Sequence, residues 1–208
     1  ERYTTPQLKE FEQKILSARE KVDELEHVIF RQLCDALKSQ TPQMRVLSET
    51  ISWIDIYIDF AYVAKQYGYV KPEISEDGST IFEVLEGRHP VVERFVPEFV
   101  PNDIFMDKSL RMFILTGPNM SGKSTYIRQV GLIALMAQIG SFVPARRARL
   151  PIFDRIFTRM GARDDISTGK STFLTEMNEV ALILSKATER SLVLLDEVGR
   201  GTSTFDGI

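Results

Sequence analysis

Residues 117–124 read GPNMSGKS, and this stretch constrains the chain more than any other. Gly117 and Gly122 bracket four residues, and Lys123 and Ser124 follow at once. A chain of this pattern can curl so that successive backbone N–H groups converge on an anion. A helix starting at the lysine adds its positive end. Lys123 then reaches the β- and γ-phosphates of a nucleotide, and the Ser124 hydroxyl can ligate Mg²⁺. The pattern requires a strand before it and a helix after it. Residues 112–115 form a short apolar run suited to the strand, and residues 123–138 read as the helix. The candidate cradle is Gly117, Pro118, Asn119, Met120, Ser121, Gly122, Lys123, Ser124 and Thr125. The competing reading is a Gly-rich turn that binds nothing. Asn119-Met120-Ser121 is also a formal glycosylation sequon, which a cytosolic phosphate loop would not use.

A cradle becomes an enzyme only with a second element. Leu192-Val193-Leu194-Leu195-Asp196-Glu197 places two carboxylates at the end of an apolar run. Asp196 suits Mg²⁺, usually through water, and Glu197 suits the polarisation of an attacking water. Such a dyad also occurs in structural ion pairs. No phosphoryl-acceptor site is visible, so water is the expected acceptor and hydrolysis the expected reaction. A G-x-G-x-x-G with its later acidic residue is missing, which disfavours a dinucleotide enzyme.

Around these motifs the chain divides in two. Residues 6 to about 40 carry Leu8, Phe11, Ile15, Ala18, Val22, Leu25 and Ile29 at heptad spacing. Pro6 suits a helix start, and Thr41-Pro42 suits a stop, because a residue before proline avoids helical geometry. Residues 43–67 carry a second stripe, Leu47, Ile51, Ile54, Ile58 and Ala61, with Gly68 as the stop. The expectation is a long antiparallel helical pair over 1–69, followed by an α/β domain with a mostly parallel central sheet over 70–208. In that domain Glu76 to Ser79 reads as a turn and Ile81 to Leu85 as a strand. Pro90, Pro97 and Pro101 mark loops. Residues 152–158 and 192–195 read as strands and 172–187 as a helix. Strands apolar on both faces belong inside a covered sheet.

Composition bounds the partners. The 208 residues carry a net charge of -3, so a broad grip on nucleic-acid phosphates is not expected of this segment. Arg146, Arg147 and Arg149 cluster, and a solvated surface is the preferred reading. Cys34 stands alone, which suits a reducing compartment, and with His27 and His89 it gives no zinc spacing. His89 reads as structural. No run is long enough for a membrane span, and no signal peptide is seen. Glu1 and Ile208 read as the ends of a piece of a longer protein.

Four stretches, "TGPNMSGKSTYIRQVGLIALMAQIGSFVPA", "DRIFTRMGARDD", "STFLTEM" and "LVLLDEVGRGTSTFDG", together resemble the MutS family of DNA mismatch-repair ATPases. They cover roughly 87–208. The helical part, beginning "ERYTTPQLKEFEQKIL", is similar to that family's lever helices. The resemblance implies an ABC-type P-loop ATPase domain, incomplete at its C-terminus, using ATP/ADP and Mg²⁺. Lys123 and Glu197 would be catalytic, and Ser124 and Asp196 would hold the metal. The domain would work as a homodimer or family heterodimer, with Ser171 acting on the partner's nucleotide. A plain helix N-cap is the other reading of Ser171. Residues 199–207 resemble the loop that crosses the dimer interface. Phe99, with Val100 beside it, stands where the family stacks adenine, or else anchors a proline-rich loop as a core residue. Asn119 would add a contact to phosphate or ribose. Ser121 replaces a glycine common in relatives, with little consequence expected.

The resemblance further implies mismatched duplex DNA as a partner through domains outside this chain, and a downstream MutL-type repair factor. The location would be cytoplasmic, or nuclear in a eukaryote. ATP binding and hydrolysis would drive mismatch binding and sliding-clamp formation by the dimeric parent, while the isolated piece would be inactive. Two alternatives stand beside it. One is a MutS-related ATPase acting in recombination or on other DNA or ribosomal substrates. The other is a nucleotide-gated dimerisation module without useful turnover, which Glu197 argues against.

Overall fold

The computed structural model describes residues 5–75, 78–161 and 172–199. In chain order the elements are α1 (Pro6–Tyr67), β1 (Glu73–Ser75), β2 (Phe82–Gly87), the 3-10 turn η1 (Val92–Arg94), β3 (Asn102–Met106), α2 (Lys123–Gln138), β4 (Arg147–Pro151), β5 (Ile156–Arg159), α3 (Thr172–Lys186) and β6 (Leu192–Leu195). Two compact units divide the chain, Glu1–Tyr57 and Ile58–Ile208.

The first unit is helix. Thr5 caps it, its Oγ1 accepting from the Leu8 N–H at 3.2 Å, and Pro6 takes the first helical position. The expected stop at Thr41-Pro42 does not occur, so the antiparallel pair is replaced by one helix of 62 residues. Pro42 leaves the Lys38 carbonyl without its helical donor, at a cost of about 3 kcal/mol. Every residue around it is exposed, so water can satisfy that carbonyl. The flanking Leu37, Lys38, Gln40, Gln43 and Met44 are good helix formers. The Thr41 hydroxyl donates to the Leu37 carbonyl at 3.1 Å. Leu8, Phe11, Ile15, Val22, Leu25 and Ile29 are each more than half exposed. Among the described residues nothing covers that seam.

In the second unit α1 ends where expected, at Gly68, whose φ of 64° suits a glycine after a helix. Arg88 fastens this end: its Nη2 donates to the Tyr67 carbonyl at 3.1 Å and its Nε pairs with Glu93 at 2.7 Å. The Tyr69 hydroxyl donates to the same carboxylate at 3.0 Å. Burial, then the Glu93 charge, pushes the Tyr69 phenol up to about 12.

The α/β class is as expected, but the larger sheet is mixed. Its order is β1-β4-β2-β3, with β2 antiparallel to both neighbours and β1 parallel to β4. β5 and β6 form a separate parallel pair. Residues 112–115 are not a strand, and Met112 and Ile114 are largely exposed. A strand is held by a ladder and a covered face; among the described residues this segment has neither. Nor is β6 covered on both faces. Leu192 and Leu194 are buried while Val193 and Leu195 are 37% and 45% exposed. β3 and β4 were not expected. β4 alternates, with Ala148 and Leu150 in the core and Arg147 and Arg149 outside it.

One core joins these pieces. Val130, Ile133, Ala134 and Ala137 of α2 pack with Phe82 and Val84 of β2, Ile104 of β3, Leu150 of β4, and Leu192 and Leu194 of β6. Gly131 sets how closely α2 meets β6, since a Cβ there would lie 2.6 Å from Leu194 Cδ1. The helix that begins at Lys123 and the strand that ends at Leu195 are thereby brought side by side.

Candidate functional site

The N-terminus of α2 is the base of the site. Gly122 caps it at φ 91° and ψ 8°, a left-handed geometry open to glycine, and no side chain caps the first turn. Upstream, Gly117 has φ 148° and Met120 has φ 65°. A left-handed methionine costs on the order of 1 kcal/mol, which the surrounding loop must hold in place. A Cβ on Gly117 would sit 3.3 Å from Ser121 Oγ, so the serine crosses the loop toward its first glycine. The Lys123 ammonium closes the curl, donating to the Gly117 carbonyl at 2.8 Å and the Pro118 carbonyl at 2.7 Å. The expected strand–loop–helix order thus survives as loop and helix only.

The other side of the site comes from the end of β6. The Asp196 N–H donates to the Arg159 carbonyl at 2.8 Å, continuing the β5–β6 pairing by one rung. Asp196 is 8% exposed. Glu197 then turns the chain at φ 54° and Gly199 at φ 82°. A Cβ on Gly161, just past β5, would lie 3.9 Å from Glu197 Oε2, which places the carboxylate beside the end of that strand.

These two sides face one cleft of about 210 Å³, lined by Asn119, Met120, Ser121, Gly122, Lys123, Ser124, Thr125 and Glu197. Chemically it offers an uncapped helix N-terminus, one ammonium, two hydroxyls of the first helical turn and one carboxylate. Asp196 is next to that carboxylate but does not line the cleft. Ser124 and Asp196 are hard oxygen donors few in number. That suits Mg²⁺, which keeps waters and substrate phosphates in its shell. Phe99 is half-buried and Val100 exposed, and neither lines the cleft. Ser171, Glu76, Asp77 and residues 200–207 lie outside the described residues.

His89 is a structural group. It is 6% exposed, and its Nδ1 accepts from the Val91 and Val92 N–H groups at 3.2 and 3.3 Å at the start of η1. Desolvation, with the nearby Arg128 charge, holds its pKa below the usual histidine value. The arginine cluster is split by β4: Arg146 pairs with Glu86 at 2.9 Å, Arg147 with Glu73 at 3.3 Å, and Arg149 donates to Ser75 Oγ.

Sequence reasoning missed Glu176 and Arg159. Glu176 is 5% exposed on α3, and its Oε1 accepts from the Gly199 N–H at 2.9 Å. A signal existed: Glu176, Val180 and Ile183 fall on one helical stripe, and a carboxylate at a core position asks for a partner. No helix among the described residues is long and apolar enough to cross a membrane.

Comparison with known proteins adds the family. The profile of MutS domain V matches residues 113–208, which takes in the loop and both carboxylates. Over all 208 residues the chain is 76% identical to the DNA mismatch repair protein MutS of Fervidobacterium nodosum. It is 61% identical to that of Thermotoga neapolitana. Over 211 aligned residues it is 56% identical to that of Clostridioides difficile. The chain spans 25%, 26% and 22% of these relatives, about a quarter of their length.

Proposed function

Because this chain belongs to the MutS family, we propose that it is the part of a DNA mismatch-recognition protein that binds and hydrolyses ATP. The observation that carries the reading is the shared cleft of Lys123, Ser124 and Glu197. In this reading the domain is of the ABC-type P-loop class. The N–H groups of residues 122–125 and the α2 dipole receive the phosphates. The Lys123 ammonium exchanges its two loop carbonyls for phosphate oxygens. Ser124 and Asp196 hold Mg²⁺, which supplies charge neutralisation on the phosphate oxygens. Glu197 orients and polarises water in line with the γ-phosphate.

Dimerisation through the ATPase domain, with Ser171 serving the partner's nucleotide, belongs to the same proposal. So do mismatched duplex DNA and a MutL-type factor as partners of the full-length protein. Phe99 and Val100 remain candidates for the base platform. A dimerisation module that only binds nucleotide has no use for a carboxylate in the cleft. Glu197 there favours turnover.

The test is made in the full-length protein. Lys123→Ala should abolish high-affinity ATP binding in titration. Glu197→Ala should keep binding and lose about a hundredfold or more in hydrolysis. Binding to a duplex with one mispair, against a matched duplex at fixed salt, should show a mispair preference that Mg-ATP loosens. An unchanged ATP isotherm in Lys123→Ala would remove the cradle from the reading. Equal binding to both duplexes would move the biology to another branch of the family.

A further inference from the structure

We propose that Glu176 is a positioning residue for Glu197, holding the turn that presents the carboxylate to the cleft. The proposal rests on the reading of Glu197 as the group that orients water. Glu197 adopts a left-handed backbone at φ 54° without being glycine. Such a conformation persists only where its surroundings hold it. Among the described residues, a hydrogen bond from a backbone N–H holds the turn on each side. Before it, the Asp196 N–H is bound by the Arg159 carbonyl at 2.8 Å. After it, the Gly199 N–H is bound by Glu176 Oε1 at 2.9 Å.

The first hold comes from the Arg159 backbone and the second from the Glu176 carboxylate, and the side chains of these two residues lie side by side. Arg159 Nη2 lies 3.9 Å from Glu176 Oε1, with the two side chains 10% and 7% exposed. Arg159 is itself fixed by donation from Nη1 to the Met160 carbonyl, and its Nε lies 3.3 Å from Glu179 Oε2. The turn is therefore clamped between the end of β5 and the second turn of α3.

Energetics argue for a role beyond packing. A buried ion pair of this kind is often no more stabilising than apolar residues of the same volume. Val180 and Ile183 on the same stripe show that an apolar residue suits this face. What an apolar residue cannot do is accept from the Gly199 N–H. Glu176 does not line the cleft. Its influence on a bound nucleotide must pass through Glu197.

The experiment measures steady-state ATP hydrolysis, nucleotide affinity and Tm in the full-length protein carrying E176A, E176D, E176Q, E197A and the E176A/E197A pair. E176A and E176D should lower kcat about tenfold or more while KM and nucleotide Kd stay within about twofold. E176Q keeps an oxygen that accepts from Gly199, so kcat should stay within about threefold even if Tm falls. Because Glu176 acts through Glu197, the pair should be no slower than E197A alone. If E176A does not fold, the contrast between E176D and E176Q decides the question. Parental kcat in E176D, or kcat and nucleotide affinity falling together in E176Q, would overturn the proposal. Retained hydrolysis in E197A would instead overturn the reading of Glu197.

Discussion

At the scale of single residues, His89 shows how a side chain can be structural and still titrate. Its Nδ1 accepts two backbone N–H groups, so protonation at that nitrogen breaks the start of η1. Desolvation is the largest influence, a backbone hydrogen bond opposes it, Arg128 adds to it, and Glu93 opposes it. The folded pKa therefore lies below the unfolded value of about 6.5. Between those two values the unfolded state binds more protons, so stability rises with pH through the window. The contribution is fully present above about pH 6.5 and is lost as pH falls toward the lowered folded value. His89→Asn keeps a side-chain acceptor without the titration. The expected outcome is a Tm that falls between pH 7 and the lower edge of that window in the parent and falls less in His89→Asn. Parallel Tm profiles for the two proteins would show that the histidine carries no pH dependence.

At the scale of elements, α1 is the clearest case of a local rule overridden. A proline costs a helix about 3 kcal/mol in its interior, yet α1 continues through Pro42. Pro42→Ala returns an N–H to the Lys38 carbonyl and should raise both far-UV helical signal and denaturant midpoint in the full-length protein. The gain should be about 1–3 kcal/mol if the helix is continuous there. No change in either would place a break at the proline. The same comparison explains what the sequence made legible. α2 and α3 were readable from their periodicity, and the start of α2 and the end of α1 from Gly122 and Gly68, which mark those limits locally. β4 was hidden because Arg147 and Arg149 read as a charge cluster before Ala148 and Leu150 read as an alternation. Residues 112–115 misled because apolar composition says nothing about whether a neighbouring ladder exists. In the site, the loop was legible since its conformation is written in its own glycines and lysine. Glu176 and Arg159 were not, because their partnership depends on α3 and β5 meeting the turn after β6.

At the scale of the whole molecule, charge bears on the proposal that this chain handles nucleotide while DNA contacts belong elsewhere in the full-length protein. The chain carries -3, and its most concentrated basic run, Arg146 to Arg149, is engaged within the β1-β4-β2 sheet. Exposed pairs of this kind are worth about 0–1 kcal/mol each, so their job is modest and structural. Phosphate contacts behave differently: each one neutralised adds about 0.9 to the slope of log K against log salt for duplex DNA. Replacing Arg146, Arg147 and Arg149 together with alanine in the full-length protein should leave that slope unchanged and lower the denaturation midpoint slightly. A slope smaller by about one per arginine would mean that β4 faces phosphates in the complex. With the slope unchanged, DNA affinity belongs to regions outside these 208 residues. Any effect of Lys123→Ala or Glu197→Ala on mispair binding would then have to arrive by conformation rather than by lost contacts.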